Sequence, residues 1–160
     1  MNMTNVDLDL LLSKLFNKSR THYLGVFSRD FLPTPTYIKA NTPCCYVANT
    51  DYRGGEGKHW VAFYHPNPNH IDFFDSFGQD PKFYGFILPP CFHVVCNSRQ
   101  IQSNLSIVCG AYSVFFLWHR NRGLSLSTIS NNLSSLSNKQ SDAYVFKCIR
   151  KLKQYLSYRK

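Results

Sequence analysis

Residues 102–119 read QSNLSIVCGAYSVFFLWH, from Gln102 to His119. A polar loop runs into Cys109-Gly110, and an apolar, aromatic-rich segment follows at once. That change of pattern predicts a buried helix with Cys109 in its first turn, continuing to about Asn121 with Gly123 as a natural C-cap. The backbone N–H groups of a first turn have no intrahelical acceptor, and the helix dipole adds positive potential there. Both favour thiolate over thiol, and the thiolate is the nucleophile. The rest of the chain is then asked for three things: a base, a group to orient that base, and a donor for an oxyanion.

Composition bounds the answer. The chain has 160 residues, 44% hydrophobic and 16% aromatic, which suits one domain with a real core and excludes a disordered chain. No apolar run approaches the roughly 20 residues needed to span a bilayer. The first residues, MNMTNVDLDLLLSKLF, carry no basic n-region, and Asp7 and Asp9 interrupt the apolar run, so no secretory signal and no membrane partner are expected. Six cysteines (Cys44, Cys45, Cys91, Cys96, Cys109 and Cys148) are expected as free thiols in a chain without a leader. Cys91 and Cys96 with His93 between them fit zinc spacing poorly, so neither a metal nor a small-molecule cofactor is expected. Lys and Arg number 18 against 9 Asp and Glu, a formal charge of +9. A chain this basic tends to meet polyanions.

Along the chain, Val6 to Phe16 reads as a short amphipathic helix. Tyr23 to Phe27 is strand-like, Asp30 to Pro35 a turn or extended connector, and Cys44 to Ala48 a strand. Asn49 to Lys58, with Gly54, Gly55 and Gly57, reads as a loop. His59 opens the strand HWVAFYH, residues 66–69 form a hairpin connection, and His70 to Ser76 returns as the next strand. Lys82 to Leu88 reads as a helical turn and Phe92 to Cys96 as another strand. Leu124 to Ser137 reads as a weak helix plus loop. Ser141 to Tyr158 is a strong amphipathic helix with Val145, Ile149, Leu152 and Leu156 on one stripe and Lys147, Arg150, Lys151 and Arg159 away from it. The expected fold is α+β in a single domain spanning 1–160: a small, mostly antiparallel central sheet flanked by helices, with a core at about 20–123 and a basic C-terminal helix at about 141–158.

Of six histidines, His59 stands out because a glycine-rich loop delivers it to the start of a strand, although a strand-end histidine is also ordinary surface. Asp75 follows Ile71 and Phe73 on one strand face. If the 66–69 hairpin is tight, the start of His59's strand meets the end of Asp75's. Asp75 is also suited to capping the turn through Ser76-Phe77-Gly78. Gln102, seven residues before Cys109, offers uncharged N–H donors fit for a transient O⁻, with the Cys109 backbone N–H as the second donor. Taken on its own it reads as a solvent-exposed loop glutamine. Trp60, beside His59, reads as an ordinary core aromatic.

Taken together, in the order His, Asp, Gln, Cys, these residues resemble the adenovirus-type cysteine endopeptidases (the adenain family), which share a catalytic core with the SUMO-protease branch of the papain-like superfamily. Tyr23-Leu24-Gly25-Val26-Phe27 is similar to the family's YFLGTY-type segment. Gly57-Lys58-His59-Trp60-Val61-Ala62-Phe63 is similar to its G-x-HW-x-AF strand, and Asp75-Ser76-Phe77-Gly78 to its acid-x-FG turn. Gln102 and Cys109 have the family's spacing. The resemblance covers roughly residues 20–120; the region from Leu124 onward shows no match.

That resemblance implies roles, among them Trp60 as packing that shields or positions the His59 imidazole. Cys109 is expected as nucleophile, His59 as general base and then acid, Asp75 as the group orienting His59, and Gln102 with the Cys109 N–H as oxyanion hole. Viral members best known for this chemistry carry Glu where this chain has Asp75; the SUMO-protease branch uses Asp. The implied substrates are precursor proteins encoded by a virus or a Maverick/Polinton-type element, processed in the virion or the host nucleus by a monomeric enzyme. Cys91, eleven residues before Gln102, falls where the adenoviral enzymes bond an activating peptide through a disulfide. DNA is the other implied activator. Independently, residues 139–160 hold seven Lys and Arg and one acid, Asp142, with Arg120 and Arg122 nearby. Lys147, Arg150 and Lys151 are the expected non-specific phosphate contacts, or else a solvated helix face. Two alternatives stay open: an isopeptidase that removes ubiquitin-like proteins, and an inactive DNA-binding virion protein.

Overall fold

The computed structural model describes residues 2–159; Lys160, the last of the seven basic residues counted above, lies outside them. The elements in chain order are α1 (Asn5–Phe16), β1 (His22–Ser28), α2 (Pro35–Asn41), β2 (Cys44–Asn49), β3 (Trp60–His65), β4 (His70–Phe74), a 3-10 turn (Pro81–Tyr84), β5 (His93–Cys96), α3 (Cys109–Asn121), α4 (Leu126–Ser134) and α5 (Asn138–Tyr158). Local chemistry sets most of the helix starts. Thr4 accepts from the Asp7 N–H and Asp7 returns the bond, closing a capping box; Ser137 and Gln140 do the same for α5, so α5 begins three residues earlier than its apolar stripe suggests. Thr34 and Pro35 start α2 within a stretch whose prolines alone read as a connector. Pro35 is in the first turn, where its missing N–H costs nothing.

The five strands lie in the order β1-β2-β3-β4-β5. The central pairs β2–β3 and β3–β4 are antiparallel, while the edge pairs β1–β2 and β4–β5 are parallel. The α+β class stands, but the sheet is evenly mixed rather than mostly antiparallel. The reason lies in the connections: α2 carries the chain from β1 back to the same end to start β2, and the 3-10 turn does so between β4 and β5, whereas a four-residue hairpin reverses β3 into β4.

β2 and β3 are buried on both faces, and their alternation splits the core in two. Cys45, Val47, Ala62, Tyr64 and Phe74 face α1, α3, α4 and α5. Cys44, Tyr46, Ala48, Phe63, Ile71 and Phe73 face α2 and the segment around the 3-10 turn. α3 is buried without interruption from Gly110 to Leu117. Gly110 lets it come close, because a Cβ there would sit 3.1 Å from Met3 Cβ and 3.4 Å from Trp60 Cδ1. Phe116 is fully buried and stacks on Phe74 with ring centroids 4.8 Å apart. Truncating Phe116 to Ala is expected to lower unfolding free energy by about 3–5 kcal/mol, read as a fall in the denaturant midpoint at unchanged m-value.

Candidate active site

His59 is the last residue of the glycine-rich loop, one position before β3. Asn49, at the end of β2, staples the loop shut: its side-chain oxygen accepts from the N–H groups of Asp51 and Lys58 at 2.8 and 3.0 Å. The Thr50 N–H then bonds the His59 carbonyl at 2.9 Å, which extends the β2–β3 ladder and fixes the imidazole's origin. His59 is only 7% exposed, so it is not a surface histidine.

On the neighbouring strand the register Ala62↔Phe74, Phe63↔Phe73, Tyr64↔Asp72 brings the end of β4 to the start of β3. The His59 Nε2–H donates to Asp75 Oδ1 at 2.5 Å. Asp75 is fully buried and takes three further donors: the Phe77 and Gln79 N–H groups at 3.1 and 3.0 Å, and the Tyr84 hydroxyl at 2.6 Å. The carboxylate that meets the imidazole thus also caps the following turn. Its peptide is bracketed by Asn97, whose side chain accepts from the Asp75 N–H at 3.0 Å and donates to the Asp75 carbonyl at 2.6 Å. Gly78 closes the turn at φ +72°, where a Cβ would lie 2.5 Å from the Arg99 carbonyl carbon. Only glycine allows segment 99–102 to pass so near.

Tyr84 and Asn97 went unread in the sequence. Asp80 caps the 3-10 turn that presents Tyr84, and this is a local signal; Asn97 carries none, because its partner is 22 residues away. The rings packed on the imidazole are Phe77 and Tyr84, at centroid distances of 4.8 and 5.6 Å. Trp60 sits elsewhere: its indole N–H donates to the Met3 carbonyl at 3.0 Å, pinning the start of α1 beside α3.

Cys109 is the first residue of α3, and no side chain caps that helix. Burial pushes its thiol up, but hydrogen bonding to His59, the charge of that imidazole, and the backbone N–H groups of Trp60 and Gly110 outweigh burial and hold it below its ordinary value. His59 moves the opposite way. Burial lowers it, yet Asp75 and the Cys109 sulfur favour the imidazolium and raise it to about 9. With Nε2–H on Asp75, Nδ1 is the nitrogen left to exchange a proton with sulfur. Elsewhere burial dominates: it pushes Cys44 up to about 12 and, with the negative charge of Asp80 adding to it, Cys96 to about 11. A cavity of about 470 Å³ opens beside Cys109, bounded by Trp60, residues 2–5 and the glycine-rich loop. A second, of about 510 Å³, lies on the His59 side.

Gln102 is 1% exposed, which removes the reading as a solvent-exposed glutamine. Its Oε1 accepts from the Ser76 hydroxyl at 2.6 Å and its Nε2–H donates to the Ser106 carbonyl at 2.8 Å. Cys91 is exposed, on the connector into β5. On α5, Lys147, Arg150 and Lys151 are all exposed, and none of them is in an ion pair among the described residues. The acid of that helix, Asp142, turns inward to the Ser103 N–H and hydroxyl and the Tyr112 hydroxyl. Arg120 does not join the basic face, because its Nε–H is bonded to Asp72 at 2.7 Å. No helix among the described residues is long and apolar enough to cross a membrane.

No protein-family model matches the chain. Among curated proteins it is similar to the protease of Fowl adenovirus A serotype 1 (strain CELO / Phelps), 29% identical over 131 residues that cover 71% of this chain and 61% of that protein. It is similar to the protease of Avian adenovirus 8, 29% identical over 61% of this chain and 55% of that one. The protease of Bovine adenovirus 7 is 30% identical over 72% of this chain and 63% of its own length. The chain thus spans between about half and two thirds of the relatives it matches. Among solved structures, the ASFV pS273R protease superposes with a TM-score of 0.59 at 20% identity, covering 90% of this chain and 66% of that one; this is a likeness of fold. Sequence and architecture agree: the chain is a distant homologue of the adenovirus proteases and shares the fold of the ASFV pS273R protease.

Proposed function

We propose that the chain is a cysteine endopeptidase of the type that processes viral or element-encoded precursor proteins. The observation that carries this reading is the 2.5 Å bond from His59 to a fully buried Asp75, with the Cys109 thiol at the tip of α3 and that imidazole shifting each other in opposite directions. In the proposed cycle Cys109 sulfur attacks the peptide carbonyl and the carbonyl π electrons move to oxygen. Gln102 and the Cys109 N–H hold that oxyanion. The His59 imidazolium then protonates the leaving amine, and water, deprotonated by His59, releases the acyl group. Asp75 keeps the ring oriented and offsets its positive charge. The adenovirus relatives support the choice of precursor proteins as substrates. The fluorogenic test is a Gly-Gly peptide, with and without DNA. Turnover that survives Cys109→Ala would sink the reading, and selective labelling of Cys109 by a ubiquitin-like probe would move it to the isopeptidase.

As part of the same proposal, non-specific DNA association runs through the exposed Lys147, Arg150 and Lys151 of α5. Phosphate contacts of this kind release counterions and carry no sequence readout. The exposed Cys91 is the thiol available to an activating peptide.

The opposite shifts of the pair set the pH profile. The productive form needs Cys109 deprotonated and His59 protonated. Turnover should therefore rise with pH through the lowered thiol value, and fall again through about 9 as the imidazolium is lost. A rate that keeps rising beyond pH 10 would contradict the pair. Iodoacetamide labelling of Cys109 near neutral pH should slow by about tenfold or more in His59→Ala, because the thiol loses its counter-charge; equal rates would exclude an activated thiol. For DNA, replacing Lys147, Arg150 and Lys151 together by Ala should make the slope of log Kobs against log salt shallower by about 3, at roughly 0.9 per contact. Fluorescence anisotropy of labelled duplex across a salt series reads it.

A further inference from the structure

Gln102 has a carboxamide with two ends of similar size and opposite chemistry. Only the nitrogen end stabilises an oxyanion; the oxygen end would repel one. We infer that Ser76 is a positioning residue for Gln102, gripping it so that the nitrogen end stays presented to the acyl group on Cys109. This rests on the oxyanion role proposed above.

Ser76 holds Gln102 at two levels. Its carbonyl accepts the N–H groups of Ile101 and Gln102 at 2.8 and 2.9 Å, fixing the backbone. Its hydroxyl donates to Gln102 Oε1 at 2.6 Å, fixing the side chain. The Ser106 carbonyl can only accept, and it takes one hydrogen of Nε2 at 2.8 Å. A reversed amide would set two oxygens against each other there. The two contacts therefore settle which end is which, and they leave one Nε2 hydrogen unspent for substrate. Ser76 and Gln102 are each 1% exposed, so bulk water cannot readily replace a lost hydroxyl. Ser76 directly follows Asp75. One dipeptide at the end of β4 thus holds the acid against the imidazole and the amide toward the oxyanion.

The experiment compares wild type, Ser76→Ala, Gln102→Ala and the double variant on a fluorogenic peptide and on a peptide aldehyde, whose thiohemiacetal oxygen takes the same donor. Losing an oxyanion donor outright costs about a hundred- to a thousand-fold in kcat. Loosening one is expected to cost about tenfold in Ser76→Ala, with KM within about twofold and aldehyde affinity falling in step with kcat. The double variant should be no slower than Gln102→Ala alone, as two residues acting through one group require. The labelling rate of Cys109 should not move in Ser76→Ala, because the His59–Asp75 bond is untouched.

Wild-type kcat and aldehyde affinity in a folded Ser76→Ala would overturn the inference, as would losses that multiply in the double variant. Should Ser76→Ala not fold, or wild type show no turnover at all, hydrogen exchange of the wild-type Gln102 carboxamide protons by NMR decides. Protected protons support the grip, and exchange at the rate of a free glutamine refutes it. A wild type that neither turns over peptide nor reacts at Cys109 sinks the protease reading. An active enzyme indifferent to Ser76 sinks only this inference.

Discussion

The buried carboxylate of Asp75 is the constraint on which the site's geometry depends. A charge removed from water costs several kcal/mol unless donors replace the solvent. Here four do so, from a loop, a turn and a 3-10 turn: His59, Phe77, Gln79 and Tyr84. The donors belong to three separate pieces of chain, so satisfying the charge also docks those pieces on one another. Asn97 adds a two-point hold on the Asp75 peptide. The acid is one methylene shorter than glutamate, and the approach of the β3 and β4 ends closes that gap.

From this anchor the electrostatics follow by short steps. Asp75 orients and supports the imidazole, the imidazole draws the proton affinity of the thiol down, and the thiol pushes that of the imidazole up. Burial works against both charged forms, and the local partners overcome it. The cysteines in the sheet lack such partners, and there burial prevails. Cys44, Cys45 and Cys96 are thus set apart from Cys109 by what surrounds each sulfur, and an uncapped helix start beside a histidine is the environment that favours thiolate.

The basic charge is distributed with similar economy. Asp142 is turned toward the Ser103 loop and Tyr112, and Arg120 is tied to Asp72 beside His70. The solvent face of α5 is left with Lys147, Arg150 and Lys151 and with no acid opposing them there. Sequence counting finds the excess of positive charge, but it misplaces Arg120, because a side chain's ion-pair partner is set by which strand lies across from its helix.

What residues alone determine here is local. The switch from polar loop to apolar run places α3 and puts Cys109 at its tip. Period-two alternation assigns Ile71 and Phe73 to one face and Phe74 to the other, and the short hairpin sets the β3–β4 register that draws His59 and Asp75 together. Each of these depends on neighbours within a turn or one strand pair. The parallel edges of the sheet, the burial of Gln102, and the partnerships of Tyr84, Asn97 and Ser76 were decided only by tertiary structure. Asn97 and Ser76 meet partners 22 and 26 residues away, and no periodicity reaches so far. Such pairs exist because two core faces and a buried charge must be satisfied together, and only the folded chain brings those requirements to one place.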